Sequence, residues 1–384
     1  MTYLLQGGQI LTEKLGLIGG DLLIRDGVIA AIGENLPEKL PGLLLDGEVV
    51  NAAGCFIVPG LIDTHNHGFC GTEFASAEEA FEKGTLELAK RGITTVVPTV
   101  RCLPMDRLLA AIENIKKETV RRPAGAKLAG INLEGPFLSP ARIGSMVPEN
   151  LAKPGKEALS KLLAACEGQL RSITVAPELP GVLPLIEDIL FAGANPSLGH
   201  SNATYAEAQA AANEGANLVT HLFNAMRPFN HRDPGLIGEA LTDDRLDCEL
   251  ICDFVHNDPA AVDLAIRAKG TEHIIMISDT GRMAGLGDGE YIIEGRKRIV
   301  KGKLCRTEEG VIAGSVCSLF DGFRNLLLRG YPLADVSRMA SLNPARKIGV
   351  DRLTGSITVG KAADLLLLDS AFFLRETWVD GKRI

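Results

Sequence analysis

The chain is predicted to be an α/β protein: a (β/α)8 barrel with a small β-sandwich domain formed by both chain termini. Three observations lead there. Between residues 56 and 352 short apolar runs alternate with helical patterns, as in a parallel sheet built from strand–helix units. Both ends of the chain read instead as short strands joined by Gly turns. Residues able to bind a metal or move a proton fall at the C-terminal ends of the apolar runs, where such barrels carry function.

At the N-terminus, strands are expected at residues 3–6, 21–25 and 28–32. Asp26-Gly27 joins the last two as a hairpin turn. At the C-terminus, residues 357–359, 364–368 and 376–379 read as strands, and Asp380-Gly381 follows the last. Residues 1–55 and 353–384 are therefore assigned to the small domain, with a barrel of residues 56–352 inserted between them. Barrel strands are expected at 56–63, 94–99, 127–133, 172–176, 195–198, 218–220, 249–253 and 273–277. Helical patterns separate them, among them 77–91, 105–120, 156–167 and 205–215. A doubly wound open sheet is the competing arrangement. It usually has fewer strands and would carry a Gly-rich nucleotide loop, which the sequence lacks.

Composition narrows the function classes. Of 384 residues, 46% are hydrophobic and 23% charged, as in a globular enzyme. The net charge of −8 argues against general binding to nucleic acid or an anionic membrane, while leaving room for a locally positive pocket. The eight cysteines are scattered with no Cys-x-x-Cys pair, and read as small buried hydrophobes in a reducing compartment. No apolar run nears the roughly 18 residues of a membrane span. Residues 1–8 show no basic region leading into an apolar segment. The expected location is the cytoplasm.

The most informative stretch is Pro59-Gly60-Leu61-Ile62-Asp63-Thr64-His65-Asn66-His67-Gly68. Residues i and i+2 of a strand share a face, so His65 and His67 can aim two imidazoles at one point. Glu134 ends the third expected strand, His200 the fifth, His221 the sixth and Asp279 the eighth. Four of the seven histidines fall at these positions. An isolated carboxylate at the end of a buried strand is costly to desolvate. A divalent cation compensates all six side chains together.

This pattern resembles the amidohydrolase superfamily, and within it the N-acetylglucosamine-6-phosphate deacetylases. The resemblance is carried by residues 59–68, LEGPF at 133–137, GHSNA at 199–203, THLFNAM at 220–226, SDTGRMAGLGDGEY at 278–291 and AGS at 313–315. It implies hydrolysis of the acetamide of N-acetylglucosamine-6-phosphate to glucosamine-6-phosphate and acetate. One or two divalent ions, Zn2+ or Fe2+, would be held by His65, His67, Glu134, His200 and His221. Glu134 would bridge them, and the presence of both strand-1 histidines favours two ions. Asp279 would take a proton from the attacking water and pass it to the departing nitrogen. Asn224, Ala225, Arg232 and His256 would contact the phosphate. Ser145, Ile312, Ala313, Gly314 and Ser315 would line the sugar. The resemblance also implies a homodimer. Departures cluster around the substrate: Ser145-Met146 stands where the family shows Ala followed by His or Gln, and Asn257 and Cys317 differ as well. The alternative substrate is therefore another N-acyl amino-sugar phosphate, such as N-acetylgalactosamine-6-phosphate.

Overall fold

The structure is a computed structural model that describes every residue except Leu15, Leu40, Pro41, residues 43–46 and Glu294. Eight parallel strands form the barrel: Leu61–Asn66, Ile93–Arg101, Ile131–Phe137, Leu170–Val175, Asn195–Leu198, Leu218–Val219, Asp247–Ile251 and Ile274–Ile277. Each pairs with the next in sequence. Between the eighth and the first, individual bonds replace a continuous ladder. The Asp279 N–H donates to the His65 carbonyl at 3.0 Å, and the Ser278 N–H donates to Asp63 Oδ1 at 3.1 Å. Thus the strand that supplies the histidine pair is fastened directly beside Asp279.

The strands are buried on both faces because helices cover the barrel outside. Helix Met105–Arg121 buries Leu108, Ala111, Ile112 and Ile115, an i, i+3, i+4, i+7 stripe. Helix Tyr205–Asn213 starts at a capping box. Thr204 Oγ1 accepts the Glu207 N–H, and the Glu207 carboxylate accepts the Thr204 N–H. That cap ends the loop carrying His200. Among the described residues no helix is long and apolar enough to cross a membrane.

The terminal strands form their own sheet. Its order runs Lys382–Arg383, Leu374–Val379, Leu365–Leu368, Phe56–Pro59, Thr2–Leu11, Leu17–Arg25, Val28–Gly33, with Glu48–Asn51 alongside Thr2–Leu11. A register shift between Leu5 and Gly8 bends the longest strand. The sheet closes over Leu5, Ile10, Leu22, Ile57, Leu365 and the fully buried Trp378. The two Asp-Gly turns have left-handed φ at both central residues: Asp26 +51° and Gly27 +85°, Asp380 +46° and Gly381 +70°. That is the geometry a two-residue hairpin demands.

Several expected elements differ. The run 56–63 is two strands parted at Gly60. Phe56–Pro59 pairs in the terminal sheet, and only Leu61–Asn66 enters the barrel. A Cβ on Gly60 would lie 2.2 Å from Thr94 Oγ1, so only glycine fits where the chain passes between sheets. The run 127–133 also divides, at Gly130. Its second part extends through Glu134 to Phe137, placing Glu134 inside a strand. The helix expected at 77–91 spans only Glu82–Ala89. Residues 357–359 supply a single bridge, Thr12 to Ile357. After the eighth strand the chain forms a three-stranded flap that the sequence reading did not include: Gly289–Ile293, Arg296–Lys301 and Leu304–Thr307. Val300, Cys305, Met283 and Ala313 pack beneath it.

Candidate active site

The six residues picked out at the strand ends converge at the barrel mouth. Glu134 is the hub. Its Oε1 lies 2.9 Å from His200 Nε2 and 3.0 Å from His221 Nε2, and its Oε2 lies 3.2 Å from His67 Nε2. Asp279 Oδ1 is 3.2 Å from His67 Nε2 and 3.6 Å from His65 Nε2. Two ligand groups result: His65, His67 and Asp279, and Glu134, His200 and His221. His200, His221 and Asp279 sit at φ of +46°, +30° and +51°, a backbone region costly for residues with a Cβ. Strain of this kind is concentrated at functional sites. Gly199 makes room for the turn at His200, because a Cβ there would lie 2.6 Å from Thr220 Cβ.

Proton placement shows that the cluster fits a cation. His200 Nδ1 lies 2.9 Å from the Arg142 carbonyl, which only accepts, so Nδ1 carries the hydrogen. The Nε2 of a neutral His200 then turns a lone pair toward Glu134 Oε1 and toward His221 Nε2, 3.1 Å away. His65 repeats the pattern. Its Nδ1 donates to Glu249 Oε2 at 3.0 Å, and its fully buried Nε2 has no hydrogen-bond partner. Lone pairs that converge without hydrogens are satisfied by a metal ion, and imidazole plus carboxylate suits borderline divalent ions. The surrounding carboxylates also favour positive charge here, which protons on the rings supply where no ion is bound. Burial disfavours a charged imidazole, yet Glu249, Asp279 and Glu134 outweigh it and push His65 up to about 9. Asp279 and Glu134 push His67 up to about 10. Burial would raise the carboxyl of Asp279, but His67 and His65 hold it down at about 2.

Two of the positions bracing this cluster, Glu249 and Asp63, were not picked out in the sequence. Glu249, on the seventh strand, is buried and fixes the His65 ring in the carboxylate–histidine arrangement typical of metal sites. A carboxylate within the apolar run Cys248-Glu249-Leu250-Ile251 was the available signal. Asp63 ties the first strand to the end of the eighth by accepting from Ser278 Oγ at 2.5 Å, and it also accepts from Asn66 Nδ2 of its own strand at 2.9 Å. Glu178 accepts from Ser201 Oγ at 2.7 Å and from the Asn202 N–H at 2.6 Å, holding the loop after His200. Replacing Glu249 by leucine is expected to weaken metal binding about 10–100-fold. Metal titration of the purified variant checks this, and unchanged affinity would remove Glu249 from the account.

A cavity of about 660 Å³ opens over the cluster. Ser145, Met146, Asn224, Ala225, His256, Ile312, Ala313 and Gly314 line it. His256 Nδ1 bonds to Asp253 Oδ2 at 2.8 Å. Burial opposes its charged form, but Asp253 raises its pKa nonetheless. Two residues expected at the substrate do not line this cavity among the residues described. Arg232 is exposed and does not line the cavity, because a turn closed by Asn230 and Asp233 carries it outward. The partner of Asp233 is Arg227. Ser315 lies behind the wall: its Oγ donates to Asp253 Oδ2 at 3.0 Å and its N–H to the Asp279 carbonyl at 2.8 Å.

Comparison with known proteins agrees with this geometry. The pattern of the amidohydrolase family matches residues 56–384. Over 384 residues the chain is 35% identical to the N-acetylgalactosamine-6-phosphate deacetylase of Escherichia coli O157:H7, covering 100% of this chain and 99% of that one. It is 33% identical to the N-acetylglucosamine-6-phosphate deacetylase of Bacillus subtilis (strain 168), covering 94% and 91%. Among solved structures it is similar to a mutant N-acetyl-D-glucosamine-6-phosphate deacetylase from Mycobacterium smegmatis in complex with N-acetyl-D-glucosamine-6-phosphate. The TM-score is 0.90 at 30% identity, with 100% and 99% coverage. The chain belongs to the amidohydrolase family, on its N-acetylglucosamine-6-phosphate deacetylase branch.

Proposed function

We propose that this protein is a metal-dependent deacetylase that hydrolyses N-acetylglucosamine-6-phosphate to glucosamine-6-phosphate and acetate. One observation carries the reading: imidazole lone pairs and the Glu134 carboxylate converge beside an ionised Asp279, at the floor of a cavity large enough for a sugar phosphate. Glu134, His200 and His221 would hold one divalent ion, and His65 and His67 a second that Glu134 bridges. Zinc and ferrous iron both suit this donor set. When bound, such an ion acidifies water and polarises a carbonyl oxygen.

The protein's own groups do the rest. Asp279 Oδ1 accepts the proton of the attacking water as the acyl carbon–oxygen bond forms. The same carboxyl then delivers that proton to the sugar nitrogen as the carbon–nitrogen bond breaks, so the leaving group departs as a neutral amine. His256, oriented by Asp253, and Asn224 face the phosphate, which positions the amide for attack. A cytoplasmic location and a homodimer belong to the same reading, the first supported by eight scattered cysteines with no Cys-x-x-Cys pair and the second by the resemblance. The E. coli relative, together with Met146 and Asn257, favours a second reading in which N-acetylgalactosamine-6-phosphate is the better substrate. The two are separated by assaying both sugars.

Stripping the protein with a chelator, verified by elemental analysis, is expected to abolish acetate release. Adding back Zn2+ or Fe2+ is expected to restore it. A metal-free protein that kept its full rate would refute the proposal.

A further inference from the structure

One wall of the cavity is not accounted for by the proposed reaction. Among the described residues, and apart from those of the metal site, five arginines and one carboxylate, Glu73, line the cavity. The arginines are Arg101, Arg107, Arg282, Arg296 and Arg298. This positive wall stands in a chain whose net charge is −8. Arg101 is paired with Glu73 at 2.9 Å. Arg282 donates to the Gly71 carbonyl at 2.7 Å and lies 3.8 Å from Glu79. Arg296 and Arg298 alternate with Lys297 on the middle strand of the flap, sharing a face with the buried Val300. That face points into the cavity. Burial, with the like charges of Arg296 and Arg101, pushes the Arg298 guanidinium below its usual range. Glu309, which also feels Arg298 and Arg296, is exposed.

The wall also lies away from the proposed phosphate contacts. Asn224 and Ala225 follow the sixth strand and His256 the seventh. Arg101 ends the second strand and Arg107 lies on the helix after it. In an eight-stranded barrel the second and sixth strands are diametrically opposed, with the metal cluster between them. A substrate fixed at its phosphate on one side and its amide at the centre presents its far end to the arginines. Arginine donates paired parallel bonds to oxyanions.

Resting on the deacetylase reading, we propose that the preferred substrate carries a second oxyanion, beyond its 6-phosphate, which this arginine wall binds. The chemistry is that of an N-acyl amino-sugar phosphate with a further carboxylate or phosphate. Three probes place that charge differently: a 3-O-lactyl ether of N-acetylglucosamine-6-phosphate, N-acetylglucosamine-1,6-bisphosphate and N-succinylglucosamine-6-phosphate.

Release of the free amino sugar is compared with that from N-acetylglucosamine-6-phosphate. At least one probe should show a kcat/KM higher by about tenfold or more, the effect of one charge-assisted hydrogen bond. The Arg296→Gln/Arg298→Gln variant should lose most of that preference. Equal or lower kcat/KM for all three probes overturns the inference, as does a preference that survives the double substitution. The unmutated protein alone therefore decides it if the variant fails to fold. If no phosphosugar is hydrolysed, the deacetylase reading fails. Calorimetric binding of the same probes to the Asp279→Asn protein then still tests the wall, with tighter binding of a doubly charged probe expected and equal binding contradicting it.

Discussion

Asp279→Asn is expected to lower kcat by about 10²–10⁴-fold, the usual worth of a positioned general acid–base group. The amide is nearly isosteric with the carboxylate but cannot take up a proton at neutral pH. In the native protein the side chain is placed for this role, with Oδ1 3.2 Å from His67 Nε2 and 3.6 Å from His65 Nε2 at the floor of the cavity. The same group must act twice, first receiving a proton and then giving it to the nitrogen, so its loss affects both halves of the reaction. KM should change little, since Asn224 and His256 are untouched. Metal content should persist at the site of Glu134, His200 and His221, which does not include Asp279. Steady-state kinetics with metal analysis checks this. A kcat within a few-fold of the parent would remove Asp279 from the mechanism.

Glu134→Ala should abolish activity by a different route. Of the two carboxylates in these ligand groups, Glu134 is the one that reaches both, through Oε1 to His200 and His221 and through Oε2 to His67. Its removal leaves imidazoles of both groups without the carboxylate they share. The loss should exceed the about 10–100-fold caused by mutating residues that only orient metal ligands. The purified variant is expected to emerge from gel filtration with little metal and no measurable acetate release. Elemental analysis showing full occupancy would contradict the bridging role. Together the two variants separate proton transfer from metal retention, since one should keep its metal while the other loses it.

Much of this site was legible in the sequence because its residues are chemically conspicuous. Histidines are few, and His65, His67, His200 and His221 each close an apolar run. Asp279 stands out for the same reason. The barrel was legible because helix-covered strands are buried on both faces, so they read as largely apolar runs that recur between helical patterns. What was not legible depended on tertiary placement. An apolar run does not state which sheet it joins, so the passage of the chain between sheets at Gly60 was hidden. Glu249 and Asp253 belong to the seventh strand and its end, and only packing shows that they orient His65 and His256. The flap is hard to read in sequence because the period of two in Arg296, Arg298 and Val300 is carried mainly by charged residues. Arg232 follows a turn that points away from the cavity, which local sequence does not reveal.

The measurement that bears most directly on the account is acetate release by the metal-loaded protein from N-acetylglucosamine-6-phosphate, set beside unphosphorylated N-acetylglucosamine. The phosphorylated sugar should be hydrolysed with a kcat/KM at least about 10²-fold higher, as expected when a charge-assisted contact to a remote group is used to position the amide. Equal turnover of the two sugars, or no acetate from either, would contradict it.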